Sequence, residues 1–318
     1  MAFLLSLYLV LHLCTGLALP LRRGFKPYFY SLMETVGADM ERRLNRESRL
    51  QSVRFIRGMV VGVVLGIAGA LAGYVVARVG QLPYGWSVEL VFLSLCINFM
   101  TPMKLVRRIA RHLADNELKA AADALQPYLK EPLANADSHA IIRKAIEFFG
   151  VSLNAFLLAP GFWFLAAGPV GMSVYVTYAA LRQAFGPPDA RHDYFGRFSR
   201  IVHMLMNAVP LFLTTALLCL AALFVSRSSP LRAAATVFGQ VRQPYQDWTS
   251  AALAGGLGVT LGGPVRYSPD YAEERGWTGP EGSTARLQIV DLSRAALLQY
   301  VVCLACLGIV SGILVWGT

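Results

Sequence analysis

The stretch Ala145–Trp163, AIEFFGVSLNAFLLAPGFW, decides the fold class. It carries one ionisable side chain, Glu147, in a run close to the about 20 residues that a membrane-crossing helix needs. Outward from it, further apolar runs occupy 2–20, 59–77, 205–225 and 296–316, with a weaker one at 86–103 that contains Glu89 and Asn98. The run 150–182 is too long for one upright helix, so it is either a single kinked span or a hairpin broken at Gly168-Pro169. Six spans are counted this way, and seven if the hairpin reading holds.

Composition agrees. Hydrophobic residues make up 55% of the 318 residues and charged residues only 15%, against about 25% charged in an ordinary soluble domain. The expected fold is therefore an all-α, polytopic integral membrane protein, one membrane domain over 1–318. No Lys or Arg precedes Arg22, so the first run lacks the positive leader of a secretory signal. Arg22, Arg23, Lys26, Arg42, Arg43, Arg46, Arg49, Arg54 and Arg57 follow it instead. Positive flanks stay in the cytoplasm, which puts the N-terminus outside and the loops 22–57 and 104–148 inside. The long loop 227–295 obeys that rule poorly and its side is left open.

The net charge of +10 is spread beside the spans, which suits anionic headgroups and topology. No recognition module accompanies it, so nucleic acid is not an expected partner. Cys303 and Cys306 form a lone pair inside an apolar run, read as small-residue packing rather than a zinc or redox site.

Between the spans, 104–125 has apolar residues at helical spacing, with Asp115-Asn116 as a break and cap between two amphipathic helices. Their bland reading is packing on the membrane domain; the sharper one is a protein-partner surface. Ser138 is placed to cap the next helix, which runs through Arg143 and Glu147 into the membrane. The segment 186–204 reads as a surface connection. No strand pattern is visible, and 249–264 reads as a glycine-rich, helix-like piece.

That piece includes Gly255, Gly256, Gly258, Gly262 and Gly263. Glycines can open backbone N–H groups to a phosphate, but no Gly-Lys-Ser/Thr follows, so it is not a Walker loop. Close helix packing is the competing account. Glu147 has two readings as well: a ligand carboxylate, or an interfacial acid paired with Arg143 on the same helix face. Asn154 and Asn207 read as helix–helix glue, since an amide in an apolar segment normally finds a partner on another helix. His203 reads as a snorkelling or surface histidine, with metal ligation the minor alternative.

Several segments together resemble the CobD/CbiB family of cobalamin-biosynthesis membrane proteins. They are Ala145-Ile146-Glu147, Ala159-Pro160-x-Phe162-Trp163, the run Ala254 to Pro264 with Tyr267, Arg43-Leu44-Asn45-Arg46 and Arg57-Gly58. The resemblance implies attachment of aminopropanol phosphate to a corrinoid acid with ATP and Mg²⁺. On that basis Glu147 is the catalytic and metal-ligand candidate. Asn154, Asn207 and the five glycines are the substrate-binding candidates, and a corrinoid precursor is the implied ligand. Where the family carries Glu-Asn and Asp-Gly, this chain has Val151, Ser152, Ala155 and Phe156, and where it carries Asp-Asp this chain has His203 and Met204. Upstream of the glycine piece, Gln243-Pro244-Tyr245-Gln246-Asp247-Trp248 keeps only the family's proline and tryptophan. The scaffold is kept and most of its acids are replaced, which makes a pseudoenzyme one expectation. Asn154, Leu158, Ala159, Pro160, Phe162 and Trp163 also resemble the AmpE family, so a non-enzymatic membrane regulator or scaffold is the alternative.

Overall fold

In the computed structural model, the structure describes residues 1–15, 26–46, 48–129, 131–133, 136–186, 193–240, 248–268, 271–273 and 276–316. The helices are α1 Ala2–Thr15, α2 Tyr28–Leu44, α3 Gln51–Gly80, α4 Trp86–Cys96, α5 Met100–Ala114, α6 Leu118–Leu125, α7 Ser138–Leu153, α8 Ala159–Ala184, α9 Asp193–Ala221, α10 Pro230–Gln240, α11 Trp248–Leu257 and α12 Ile289–Trp316. Among the described residues four short strands interrupt them: β1 Leu261–Gly262, β2 Val265–Ser268, β3 Tyr271–Glu273 and β4 Trp277–Thr278. The protein is an all-α membrane protein in architecture. Among the described residues, four helical stretches are long and apolar enough to cross a membrane: Gln51–Gly80, Ser138–Ala184, Asp193–Phe224 and Ile289–Ile313. The helix in the weak run, α4, is shorter.

The chain forms two compact units. One comprises Met1–Asn98, Ala155–Pro210 and Ile309–Thr318; the other comprises Phe99–Asn154 and Leu211–Gly308.

In the first unit a glycine seam on α3 sets the packing. Gly58, Gly62, Gly66, Gly69 and Gly73 recur every three or four residues and are buried, while Val60, Val64, Ile67, Leu71 and Val75 face outward. A Cβ at Gly58 would overlap the Phe195 carbonyl oxygen, and one at Gly73 would lie 2.5 Å from the Pro169 oxygen. Small residues let helix backbones meet at that range, which is how membrane helices pack when lipid competes for every apolar face.

The expected span 86–103 is broken. Helix α4 stops at Cys96 and the backbone at 97–99 is irregular. Ile97, Asn98 and Phe99 are buried, and buried polar backbone needs partners. Tyr8 Oη donates to the Ile97 oxygen at 2.6 Å, and the Asn98 N–H donates to the Phe156 oxygen at 3.2 Å. The Phe156 carbonyl is open to this donor because Pro160, four residues on, has no N–H to give it. The same proline follows a π-helical turn at Asn154–Leu158.

The helix α8 is itself broken, at Ala167 (φ −140°, ψ 18°) and Gly168 (φ 64°, ψ −158°). A Cβ on Gly171 would lie 2.9 Å from the Trp163 oxygen. Eight residues of continuous helix would separate these sites by about 12 Å, so the chain turns back sharply at Gly168-Pro169.

In the second unit, α5 and α6 separate at Asp115-Asn116, where Asn116 takes φ 60°. The cap of α7 is Asp137, not Ser138: the Asp137 carboxylate accepts the Ala140 N–H at 2.7 Å, and Ser138 is the first helical residue. The glycine-rich piece is helical only to Leu257. Gly258 has positive φ where the chain leaves α11, and Gly262 and Gly263 have it where the chain leaves β1. β1 then pairs antiparallel with β4, and β2 with β3. Strands this short carry no alternation that a sequence pattern could show.

Candidate functional site

The second unit brings Glu147 and the glycine turn together. Glu147 Oε1 accepts the Gly262 N–H at 2.7 Å, and its Oε2 lies 3.3 Å from Lys144 Nζ. Lys144 also reaches Glu131 Oε1 at 3.1 Å, so one ammonium lies between two carboxylates. The Lys144 and Glu147 side chains keep only 9% and 15% of their surface exposed. This corrects the expected Glu147–Arg143 pair. Arg143, four residues back, instead lays its guanidinium over the Trp277 ring at 5.0 Å and reaches the Ala285 oxygen at 3.4 Å. The aromatic face on β4 competes successfully for the arginine.

The amides of the turn are occupied. The Gly258 N–H donates to the Ala254 oxygen at 2.9 Å, the Gly262 N–H to Glu147, and the Gly263 N–H to the Gly276 oxygen at 3.3 Å. Gly255 and Gly256 lie inside α11, where a Cβ on Gly255 would sit 2.5 Å from the Arg232 oxygen of α10. The Arg232 guanidinium approaches Gly258, and the Trp277 ring covers Gly263. Arg294 of α12 ties the region down, donating to the Leu257 oxygen at 3.3 Å and the Arg227 oxygen at 2.7 Å. Asn154 accepts from Thr214 Oγ1 of α9 at 2.9 Å in buried surroundings.

Asn207 belongs to the first unit, where Tyr175 Oη donates to its Oδ1 at 3.1 Å. Trp163 Nε1 donates to the neighbouring Met206 oxygen at 3.0 Å. His203 is not a surface histidine: it is buried with its ring 5.7 Å from that of Tyr175. It faces inward because Met204 and Leu205, next to it on α9, take the outward face. Among the described residues no group of three or more His, Cys, Asp or Glu is placed to hold a metal ion. Gln243 to Asp247 and Asp270 lie outside the described residues, as do Arg191 and His192.

Sequence reading missed Lys144, Glu131 and Trp277 as parts of this site. Lys144 carried a usable signal, since a lysine three residues before Glu147 shares its helix face. Trp277 carried none, because its position depends on the pairing of β1 with β4.

An all-α membrane protein with a late glycine turn clamped by a helix carboxylate is the class these features define. The chain belongs to the CobD/CbiB family: the family model described as CobD/Cbib protein matches residues 16–298. It is similar to the cobalamin biosynthesis protein CobD of Sinorhizobium sp, 28% identical over 255 residues, covering 78% of this chain and 79% of that protein. The protein of the same name from Rhodobacter capsulatus is 28% identical over 269 residues, covering 82% of this chain and 81% of its own length. The Brucella suis protein is 27% identical over 241 residues, 73% of each chain. No solved structure matches.

Proposed function

We propose that the chain serves cobalamin biosynthesis as an inner-membrane scaffold of its family and does not itself form the amide bond with ATP. Its relatives' names supply the pathway. The Glu147 carboxylate supplies the limit on chemistry: it is the one acid kept at the matched motif positions, and both its oxygens are engaged by Gly262 and Lys144. Magnesium takes carboxylate and phosphate oxygens in near-octahedral geometry. Two acids sharing a lysine do not fit that ion, and glycine amides already bonded within the protein do not fit a nucleotide phosphate. Ala155, His203 and Met204 add no acid. The expected orientation has the N-terminus outside and the loops 22–57 and 104–148 cytoplasmic, facing a corrinoid precursor or a protein partner.

The test is complementation. A cell lacking its own synthase, given cobyric acid and expressing this chain in its membrane, is expected not to regain corrinoid-dependent growth. Rescue would overturn the reading. Deleting the gene from its host should lower corrinoid yield, and unchanged yield would favour a regulator outside the pathway.

A further inference from the structure

Helix α5 carries cations and no carboxylate from Met100 to Ala114. Lys104, Arg107, Arg108 and Arg111 are all exposed and are spaced i, i+3, i+4 and i+7, which puts them in one stripe. Met103, Val106, Ile109 and Leu113 are buried on the other side. Of the carboxylates that follow, Glu117 is engaged by His112 at 2.7 Å, and Asp115 lies at the helix end.

The depth of the stripe is set by Tyr300. Arg107 Nη2 donates to Tyr300 Oη at 2.7 Å, and the guanidinium lies 5.6 Å from the ring centroid. Tyr300 stands on α12 six residues past Arg294, the last charged residue before the apolar run 296–316, and is the fifth residue of that run. Tyrosines at the start of an apolar run mark headgroup level. The stripe therefore runs at the membrane surface.

We propose that Lys104, Arg107, Arg108 and Arg111 form a binding surface for anionic phospholipid headgroups. A stripe about 10 Å long on the convex side of a helix cannot converge on one free phosphate, but it matches a row of headgroups in a plane. The apolar underside keeps the cations turned outward.

The full chain is reconstituted in phosphatidylcholine vesicles containing spin-labelled phosphatidylglycerol or spin-labelled phosphatidylcholine, and the motionally restricted fraction is read by electron spin resonance. Phosphatidylglycerol is expected to be favoured roughly threefold, with the preference falling as salt rises. The variant K104Q/R107Q/R108Q/R111Q should lower the ratio clearly, with the cations elsewhere beside the spans holding it above one, and R107K/R108K/R111K should leave it unchanged. Should the fourfold variant not reconstitute, K104Q/R111Q, which leaves the Arg107–Tyr300 contact, should lower the ratio by a smaller but measurable amount. An unchanged ratio in either glutamine variant overturns the proposal. So does competition by millimolar inorganic phosphate that sodium chloride of equal ionic strength does not reproduce, since that marks a diffusible phosphate as the ligand.

Discussion

Glu147 Oε1 accepts the backbone N–H of Gly262 at 2.7 Å, joining α7 to a turn 115 positions further along the chain. Gly262 holds φ 84°, and a Cβ there would lie 2.6 Å from the Gly276 oxygen, so the turn has no room to be remodelled around another residue. The bond makes Glu147 a clamp on the family's glycine motif.

Replacing Glu147 with Ala orphans the Gly262 amide, while Lys144 keeps Glu131. The expected loss is about 1–3 kcal/mol, seen as a lower Tm of the detergent-purified protein. Glu147→Gln retains an acceptor and should lose less. Millimolar Mg²⁺ should leave the Tm of the unmodified protein unchanged. A Mg²⁺-dependent rise that Glu147→Ala abolishes would restore the ligand role.

Gly58 meets the Phe195 carbonyl, so even a methyl group forces α3 away from its neighbour. Gly58→Ala should destabilise by about 1–3 kcal/mol or more and reduce the monodisperse fraction in size-exclusion chromatography. At Gly308 and Gly312 on α12, a methyl group would meet nothing within 4 Å among the described residues, and alanine at either should be neutral or slightly stabilising. Equal behaviour at all three positions would remove the case for a packing seam.

Pro160 leaves the Phe156 oxygen to the Asn98 N–H. Pro160→Ala returns a competing donor four residues along the helix. Amide exchange at 97–99, followed by hydrogen–deuterium mass spectrometry, should then speed up. Unchanged protection would mean that the irregular exit of α4 is held by other contacts.

On the proposed orientation, in which the arginines from 22 to 57 keep that loop in the cytoplasm, a green fluorescent protein fused after Arg46 should be fluorescent and alkaline phosphatase fused there should be inactive. The reverse pair of results would invert the whole topology.

The apolar runs of α3, α9 and α12 were legible because a membrane crossing is written in local composition. The break at Asp115-Asn116 was legible because Asn tolerates the left-handed backbone found there. The seam of α3 has a visible signal, glycine every three or four residues, to which hydropathy is blind. Arg143 and His203 were misplaced for a different reason. Helix spacing gives Arg143 a partner on its own helix, yet Trp277 from a distant strand takes it. Local polarity sends His203 to the surface, yet the outward face of α9 belongs to Met204 and Leu205.

Sequence alone determined the all-α membrane class, the placing of most apolar helices and the family frame, since each follows from short-range periodicity and local composition. Tertiary structure alone decided that Glu147 clamps Gly262, that Lys144 lies between two acids and that α4 ends at Cys96. Those outcomes depend on which donors, rings and carbonyls meet across large separations in the chain, and hydropathy and helical spacing carry no record of such meetings.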